Sequence, residues 1–172
     1  FGAKTDFVTG SSPYAVAIGD LNGDGRPDLV SANIYANTVS VLLGDGVGGF
    51  GAKADFPTGI NPCSVAIGDL NGDGRPDLAV ANDGSDAISV LLGDGAGGFG
   101  ARTDFSTAAS PLSVEIGDLN CDGRLDLAAA SWNSNTVSVL LGDGVGGFGA
   151  KTDFATGANA NASAIGDVSG DG

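Results

Sequence analysis

The stretch GDLNGDGRPDLAVAN, Gly68 to Asn82, decides the fold. Within nine residues it gathers Asp69, Asn71, Asp73 and Asp77 about Gly72 and Gly74, and then it turns apolar. Like charges at that density repel one another, so the loop needs a compensating reason to exist. The phrase also opens at Asp20, Asp118 and Asp167, and each step is 49 residues. Gly48-Gly49-Phe50, Gly97-Gly98-Phe99 and Gly146-Gly147-Phe148 keep the same step. The chain is therefore one unit written about three and a half times: residues 1–49, 50–98, 99–147 and a partial copy, 148–172. A period of that length belongs to solenoids, propellers and arrays.

The strand pattern selects among these. In the second unit, Ser64–Asp69 is a short apolar run, Leu78–Asn82 a second and Ala87–Asp94 a third, while Ala101–Thr107 alternates polar and apolar. No segment keeps a 3.6-residue period over ten residues, and 31 glycines punctuate the chain. Four short strands per unit predict an all-β fold, a β-propeller of four-stranded antiparallel blades whose strands run outward from a channel. The first strand of each blade is expected to be the innermost and most buried. Phasing the strands adds an outer strand at Phe1–Thr9 and an inner strand at Ala162–Asp167. Calcium-binding β-rolls repeat every nine residues and WD or kelch blades carry other signatures, so neither fits.

Composition narrows the function. There are 21 acidic and 7 basic residues, a formal charge of −14, which argues against nucleic acid as a partner. Only Glu115 among the acids is not Asp, and eleven Asp lie in the four copies of the opening phrase. A solubilising acidic face would mix Glu with Asp, so geometry is choosing the shorter side chain. No run approaches the roughly 18 apolar residues of a membrane span. No signal peptide is present and the chain opens at Phe1 without Met, which reads as processing or trimming. Cys63 and Cys121 occupy different columns of the repeat and are separated by about a strand's length, too far to bridge.

The loop chemistry is that of a hard cation. Asp20, Asn22, Asp24 and Asp28 form D-x-N-x-D-G-x-x-D, as do Asp69, Asn71, Asp73 and Asp77, and again Asp118, Asn120, Asp122 and Asp126. Oxygens at alternating positions, with glycine at the sixth for a sharp turn, suit Ca²⁺, and the carbonyls of Arg26, Arg75 and Arg124 are the expected further ligands. An EF-hand would place Glu at position 12, where Ser31, Val80 and Ala129 stand, and would flank the loop with helices. The fourth copy stops early and offers at most a partial site from Asp167, Ser169 and Asp171. The competing explanation is that Asp, Asn and Gly are simply turn formers.

GDLNGDGRPDL paired in phase with GDGxGGFGA resembles the FG-GAP (VCBS-type) repeat of integrin-α-like propellers, over the whole chain. The resemblance implies seven-bladed propellers when complete, calcium in the loop joining the first two strands, and adhesive or carbohydrate-binding roles outside the cell. Half the expected number of repeats is present.

Loops of such a blade alternate between two faces. The acidic loop and the GDGxGGF turn share one, and vary little. The opposite face reads NIYAN, NDGSD and SWNSN between the second and third strands, with links TGSSPY, TGINPC and TAASPL. Tyr14, Tyr35 and Trp132 all fall there, whereas every Phe lies in a constant column. Aromatics beside Asn, Asp and Ser suit a glycan or a protein ligand, though drift in free loops would look the same. With no His and no marked acid–base pair, an enzyme is not expected. The expectation is a calcium-stabilised extracellular binding or adhesion module, lectin-like in its sharper form. The alternative is a structural array, such as a filament or surface-layer component, without a small ligand. An open arc would leave apolar faces bare, so further repeats of the chain or self-association are expected.

Overall fold

The computed structural model describes residues 4–166. Within them the chain forms three antiparallel four-stranded sheets, each from consecutive strands. Sheet 1 holds β1 (Pro13–Gly19), β2 (Asp28–Asn33), β3 (Thr38–Leu42) and β4 (Ala54–Pro57). Sheet 2 holds β5 (Pro62–Gly68), β6 (Asp77–Asn82), β7 (Ala87–Leu91) and β8 (Thr103–Ser106). Sheet 3 holds β9 (Pro111–Gly117), β10 (Asp126–Ser131), β11 (Thr136–Leu140) and β12 (Thr152–Ala155). The apolar runs thus become strands of the expected number and order. Each first strand opens on a proline, which gives up no ladder hydrogen bond at that end, and is followed by a bulge.

Pleating explains the core. Successive residues of a strand face opposite sides of its sheet, so DLAVAN in β6 sends Leu78 and Val80 one way and Ala79 and Ala81 the other. The first pair joins Val65 and Leu91 against Leu21, Val30, Ala32, Val39 and Val41 of sheet 1. The second joins Leu70, Ile88 and Val90 against Val114, Leu127, Ala129 and Leu140 of sheet 3. The two cores are therefore the same interface repeated, the forward face of one sheet on the backward face of the next. Each fully buried Leu, Ile or Val contributes about 1.5–3 kcal/mol to holding the sheets together.

Three expectations are corrected. The first strand of each sheet lies innermost, beside the first strand of the next sheet, yet it is not the most buried: β6 and β7 are buried throughout, whereas β5 is only partly so. Middle strands are covered on both faces and both edges, while the inner strand keeps an open edge. The outer strand expected at Phe1–Thr9 is not a strand over residues 4–9, its first three residues lying outside the described range. Among the described residues no third strand stands beside that segment to pair with it, although its Phe7 packs on Phe50 at 5.0 Å as Phe56 does on Phe99 and Phe105 on Phe148. The inner strand expected at Ala162–Asp167 is likewise not a strand over 162–166, where no second strand stands beside it among the described residues, and Asp167 lies outside them.

Candidate metal and ligand sites

The acidic loops connect the first and second strands of each sheet, β1 to β2, β5 to β6 and β9 to β10. In the first, Asp20 Oδ1 accepts the amides of Gly23 and Asp24, and Oδ2 that of Gly25, at 2.8–3.1 Å. Asn22 Oδ1 accepts Asp24 N–H and Asp24 Oδ1 accepts Arg26 N–H. The bonds from the Asp24, Gly25 and Arg26 amides recur in the second loop on Asp69, Asn71 and Asp73, and in the third on Asp118, Asn120 and Asp122. The backbone must turn left-handed twice within each loop, at Gly23 and Gly25 and at Gly72 and Gly74. In the third loop Cys121, at φ +59°, makes the first of those turns beside Gly123, at a cost that glycine does not bear.

The ninth-position carboxylates behave differently. Asp28, Asp77 and Asp126 are fully buried. Asp77 Oδ2 accepts Leu70 N–H at 2.9 Å and Oδ1 accepts Gly93 N–H at 2.7 Å, clamping the acidic loop to the GDGxGGF turn. Asp28 does the same with Leu21 and Gly44, and Asp126 with Leu119 and Gly142. The two loop types therefore share one face. Burial pushes the Asp77 carboxyl above the usual carboxylate range against the pull of its two amides, and the charges of Asp73 and Asp69 push the same way. The Asn120 amide and the Arg124 N–H hold Asp122 below that range.

These residues fit a hard cation in kind. All are oxygen donors, and an oxygen that accepts one amide keeps a second lone pair. Among the described residues no three acidic or cysteine side chains are gathered into a preformed cage. Asp167, Ser169 and Asp171 of the fourth copy lie outside the described residues.

The opposite face is stitched between sheets. Asn61 N–H donates to Asn37 Oδ1 at 2.8 Å, Ser110 N–H to Asp86 Oδ1 at 2.8 Å and Asn159 N–H to Asn135 Oδ1 at 2.7 Å. The carbonyls of Ser12, Asn61 and Ser110 in turn accept the amides of Ile34, Asp83 and Trp132. The second-to-third-strand loops and the links thus share a face, as expected. Their sequence variation is narrower in function than it looks, because Asn37, Asp86 and Asn135 are ties and Asn33, Asn82 and Ser131 are buried. Of the middle residues, Asp83, Ser85 and Ser134 add side-chain bonds to Ser110, Ile60 and Ala109, whereas the side chains of Tyr35 and Trp132 carry no such tie.

Tyr35 and Tyr14 are well exposed, at 76% and 65%, and Trp132 is at 36%. Tyr14 and Tyr35 belong to sheet 1 and Trp132 to sheet 3, so sheet 2 separates them. Tyr14 stands in the bulge column, where Cys63 is buried and donates toward the Pro111 and Ala81 carbonyls. Burial pushes the Cys63 thiol up to about 11, and its role is packing. Both cysteines are thiols.

A relay across each sheet was not anticipated. Asn33 Nδ2 donates to Ser40 Oγ, which donates to Asp55 Oδ1 at 2.6 Å; Asn82, Ser89 and Asp104 repeat it, and Ser138 reaches Asp153. Lys53 and Lys151 hold Asp55 and Asp153 below the usual carboxylate range, with Ser40 and Ser138 helping. The serine in the middle of each third strand, flanked by apolar residues, was the available signal. Among the described residues no helix is long and apolar enough to cross a membrane.

No curated protein matches the chain by sequence. Among solved structures, an Agrocybe aegerita lectin that recognises non-reducing terminal N-acetylglucosamine is 26% identical, with a TM-score of 0.59 over 81% of this chain and 37% of its own. The BBS1N fragment in complex with ARL6DN superposes with a TM-score of 0.63 at 18% identity, over 92% of this chain and 49% of its own. The Photorhabdus luminescens Tc holotoxin pore gives 0.52 at 23%, over 83% of this chain and 7% of its own. The chain thus spans less than half of each of these structures. The model of the FG-GAP-like repeat matches three times, at residues 20–80, 69–129 and 118–172. With the period, the strand order and the acidic loop all in phase with those matches, the chain belongs to the FG-GAP-like repeat family.

Proposed function

We propose that the chain is a calcium-stabilised segment of a β-propeller, seven-bladed when complete, that serves outside the cell as a binding or adhesion module. The division of labour between its faces carries this reading. One face repeats the same oxygen donors in every sheet, and the other presents Tyr35 and Trp132 on side chains that make no tie between sheets. Asp20, Asn22, Asp24, the Arg26 carbonyl and Asp28 would hold one Ca²⁺, and the equivalent residues of the next two loops one each. When bound, the cation supplies positive charge among carboxylates that otherwise repel. The chain's own part is to curl each loop by its Asp-to-amide bonds and to anchor it at the buried ninth Asp.

The ligand face is assigned to the second-to-third-strand loops and the links beside them, with Tyr35, Tyr14 and Trp132 as stacking surfaces for a sugar or a protein side chain. The likeness to an N-acetylglucosamine-recognising lectin favours a glycan over a purely structural array. No catalytic role is assigned. Glycan-array binding with calcium present tests this, and Trp132→Ala or Tyr35→Ala should abolish the strongest signals without altering the melting temperature. Binding that survives both substitutions would place the ligand elsewhere; ordered polymers without any glycan or protein ligand would favour the array.

A further inference from the structure

The chain contains the dipeptide Asn-Gly twice, at Asn22-Gly23 and Asn71-Gly72, both times at the third and fourth positions of an acidic loop. The third loop has Asn120-Cys121 in its place. The glycine serves the backbone, which turns left-handed at Gly23 and Gly72, at φ +73° in each, where a side chain is strained. The same choice leaves the peptide nitrogen after each Asn unshielded. Both glycines are exposed to water, and a Cβ added at Gly23 would meet nothing within 4 Å. Asparagine is among the thermally labile residues, because its side-chain amide is open to attack by the nitrogen of the peptide that follows it.

The loop brings these two groups together. Asn71 Oδ1 accepts Asp73 N–H at 3.0 Å, which curls the side chain forward over the Gly72 nitrogen that lies between them. Asn71 Nδ2 donates to Asp73 Oδ2 at 3.1 Å. In the first loop Asn22 makes the same two bonds with Asp24, at 3.1 and 3.2 Å. The N–H on Oδ1 stands where negative charge collects when the amide carbon is attacked, and a donor already aimed at that oxygen lowers the barrier. Asn120 is held in the same way by Asp122, but the nitrogen after it belongs to Cys121, whose side chain crowds the approach.

We propose that Asn22 and Asn71 are sites of spontaneous deamidation, and that Asn120 is protected by the cysteine that follows it. The peptide nitrogen of Gly23 or Gly72 gives up its proton to solvent and attacks the Asn Cγ. The N–Cγ bond forms, the Cγ–Nδ2 bond breaks, and Nδ2 takes a proton from solvent and leaves as ammonia. The cyclic imide left behind takes up one water. Opening at the side-chain carbonyl gives aspartate, and opening at the backbone carbonyl gives isoaspartate, in which the chain runs through the side chain. Nothing is oxidised or reduced. Each conversion replaces the donor that faces Asp24 or Asp73 with a carboxylate oxygen, so an attraction becomes a repulsion between like charges. Isoaspartate also adds a carbon to the backbone and breaks the alternation of oxygens along the loop. The loops of sheets 1 and 2 thereby age, and that of sheet 3 does not.

Ageing the full chain at mildly alkaline pH with a chelator and a reductant present, followed by peptide mapping in a mass spectrometer, tests this. The peptides that hold Asn22 and Asn71 should gain the mass difference between an amide and an acid, and should yield isoaspartate. They should do so at least about tenfold faster than the peptide that holds Asn120. Equal rates at all three, or no conversion at Asn22 and Asn71, would overturn the proposal. Exchanging the residue after Asn isolates the cause. Cys121→Gly should raise Asn120 to the rate of the other two. Gly23→Cys, which places its Cβ in open space, should slow Asn22 to the rate of Asn120 while Asn71 keeps its own. Both variants should match wild type by circular dichroism before ageing. Rates that stay where they were in the folded variants would show that the following residue does not set them, and the proposal would fall.

Discussion

The two faces of the molecule use the same chemistry, an Asp or Asn side chain accepting a backbone amide, at different ranges. On the acidic-loop face every such bond stays within one sheet, from Asp20 to Gly25 or from Asp77 to Gly93. On the opposite face Asn37, Asp86 and Asn135 reach into the following repeat. One face therefore shapes each sheet separately and the other sets how sheets meet. A face that only has to build its own sheet can be identical in every copy. A face that binds neighbours keeps its ties fixed and lets the residues between them differ, some adding a tie, as Ser85 and Ser134 do, and some, as Tyr35 and Trp132, making none.

Calcium should give the largest effect and act on the first face. If each loop binds one ion, calcium at a hundredfold over its dissociation constant adds about 2.7 kcal/mol per loop. The melting temperature should rise steeply with calcium and fall on chelation. A transition that chelator leaves unmoved breaks the assignment of the acidic loops to a metal.

Asp77→Ala comes next. It strands the Leu70 and Gly93 amides at the clamp between two turns, for a loss of about 2–4 kcal/mol in urea unfolding. The calcium gain should shrink by about one loop's share, while amide exchange at Ser110, on the other face, should keep its protection relative to global unfolding.

Asp86→Ala probes the opposite face and should reverse that pattern. Losing the tie to Ser110 costs about 1–2 kcal/mol, speeds amide exchange at Ser110 relative to the rest, and leaves the calcium gain intact. If Asp77→Ala and Asp86→Ala gave the same pattern, the two faces would not be independent.

Cys121→Gly should be the smallest and of opposite sign. Glycine removes the left-handed strain at φ +59° but adds freedom to the unfolded chain, so the net gain is up to about 1 kcal/mol. A loss of stability would mean that the thiol side chain contributes more than its backbone conformation costs.

Most of the fold was legible because it is carried by period and alternation. Leu78–Asn82 could be read as a short apolar strand, and the 49-residue step fixed how many strands to expect. The acidic loops were legible for the same reason. The relay from Asn82 through Ser89 to Asp104 was not, because a serine within an apolar strand looks like an ordinary small residue until its neighbours across the sheet are known. The structural duty of Asn37 and Asp86 was hidden by the variable residues around them. The relative exposure of the inner strand was misjudged because hydrophobicity alone does not say how many neighbours a strand will have.

The repeated sheet-to-sheet interface also has a consequence for how such a molecule lengthens. Every added repeat brings one interface of the same composition, so stability grows in equal steps with the number of copies, as in a one-dimensional chain of coupled units. A sheet with a neighbour on each side must wait for one of them to melt before it can. A duplication of 147 nucleotides would then be a complete and self-compatible unit of growth, since the sheet it encodes presents to its neighbours the faces they already accept.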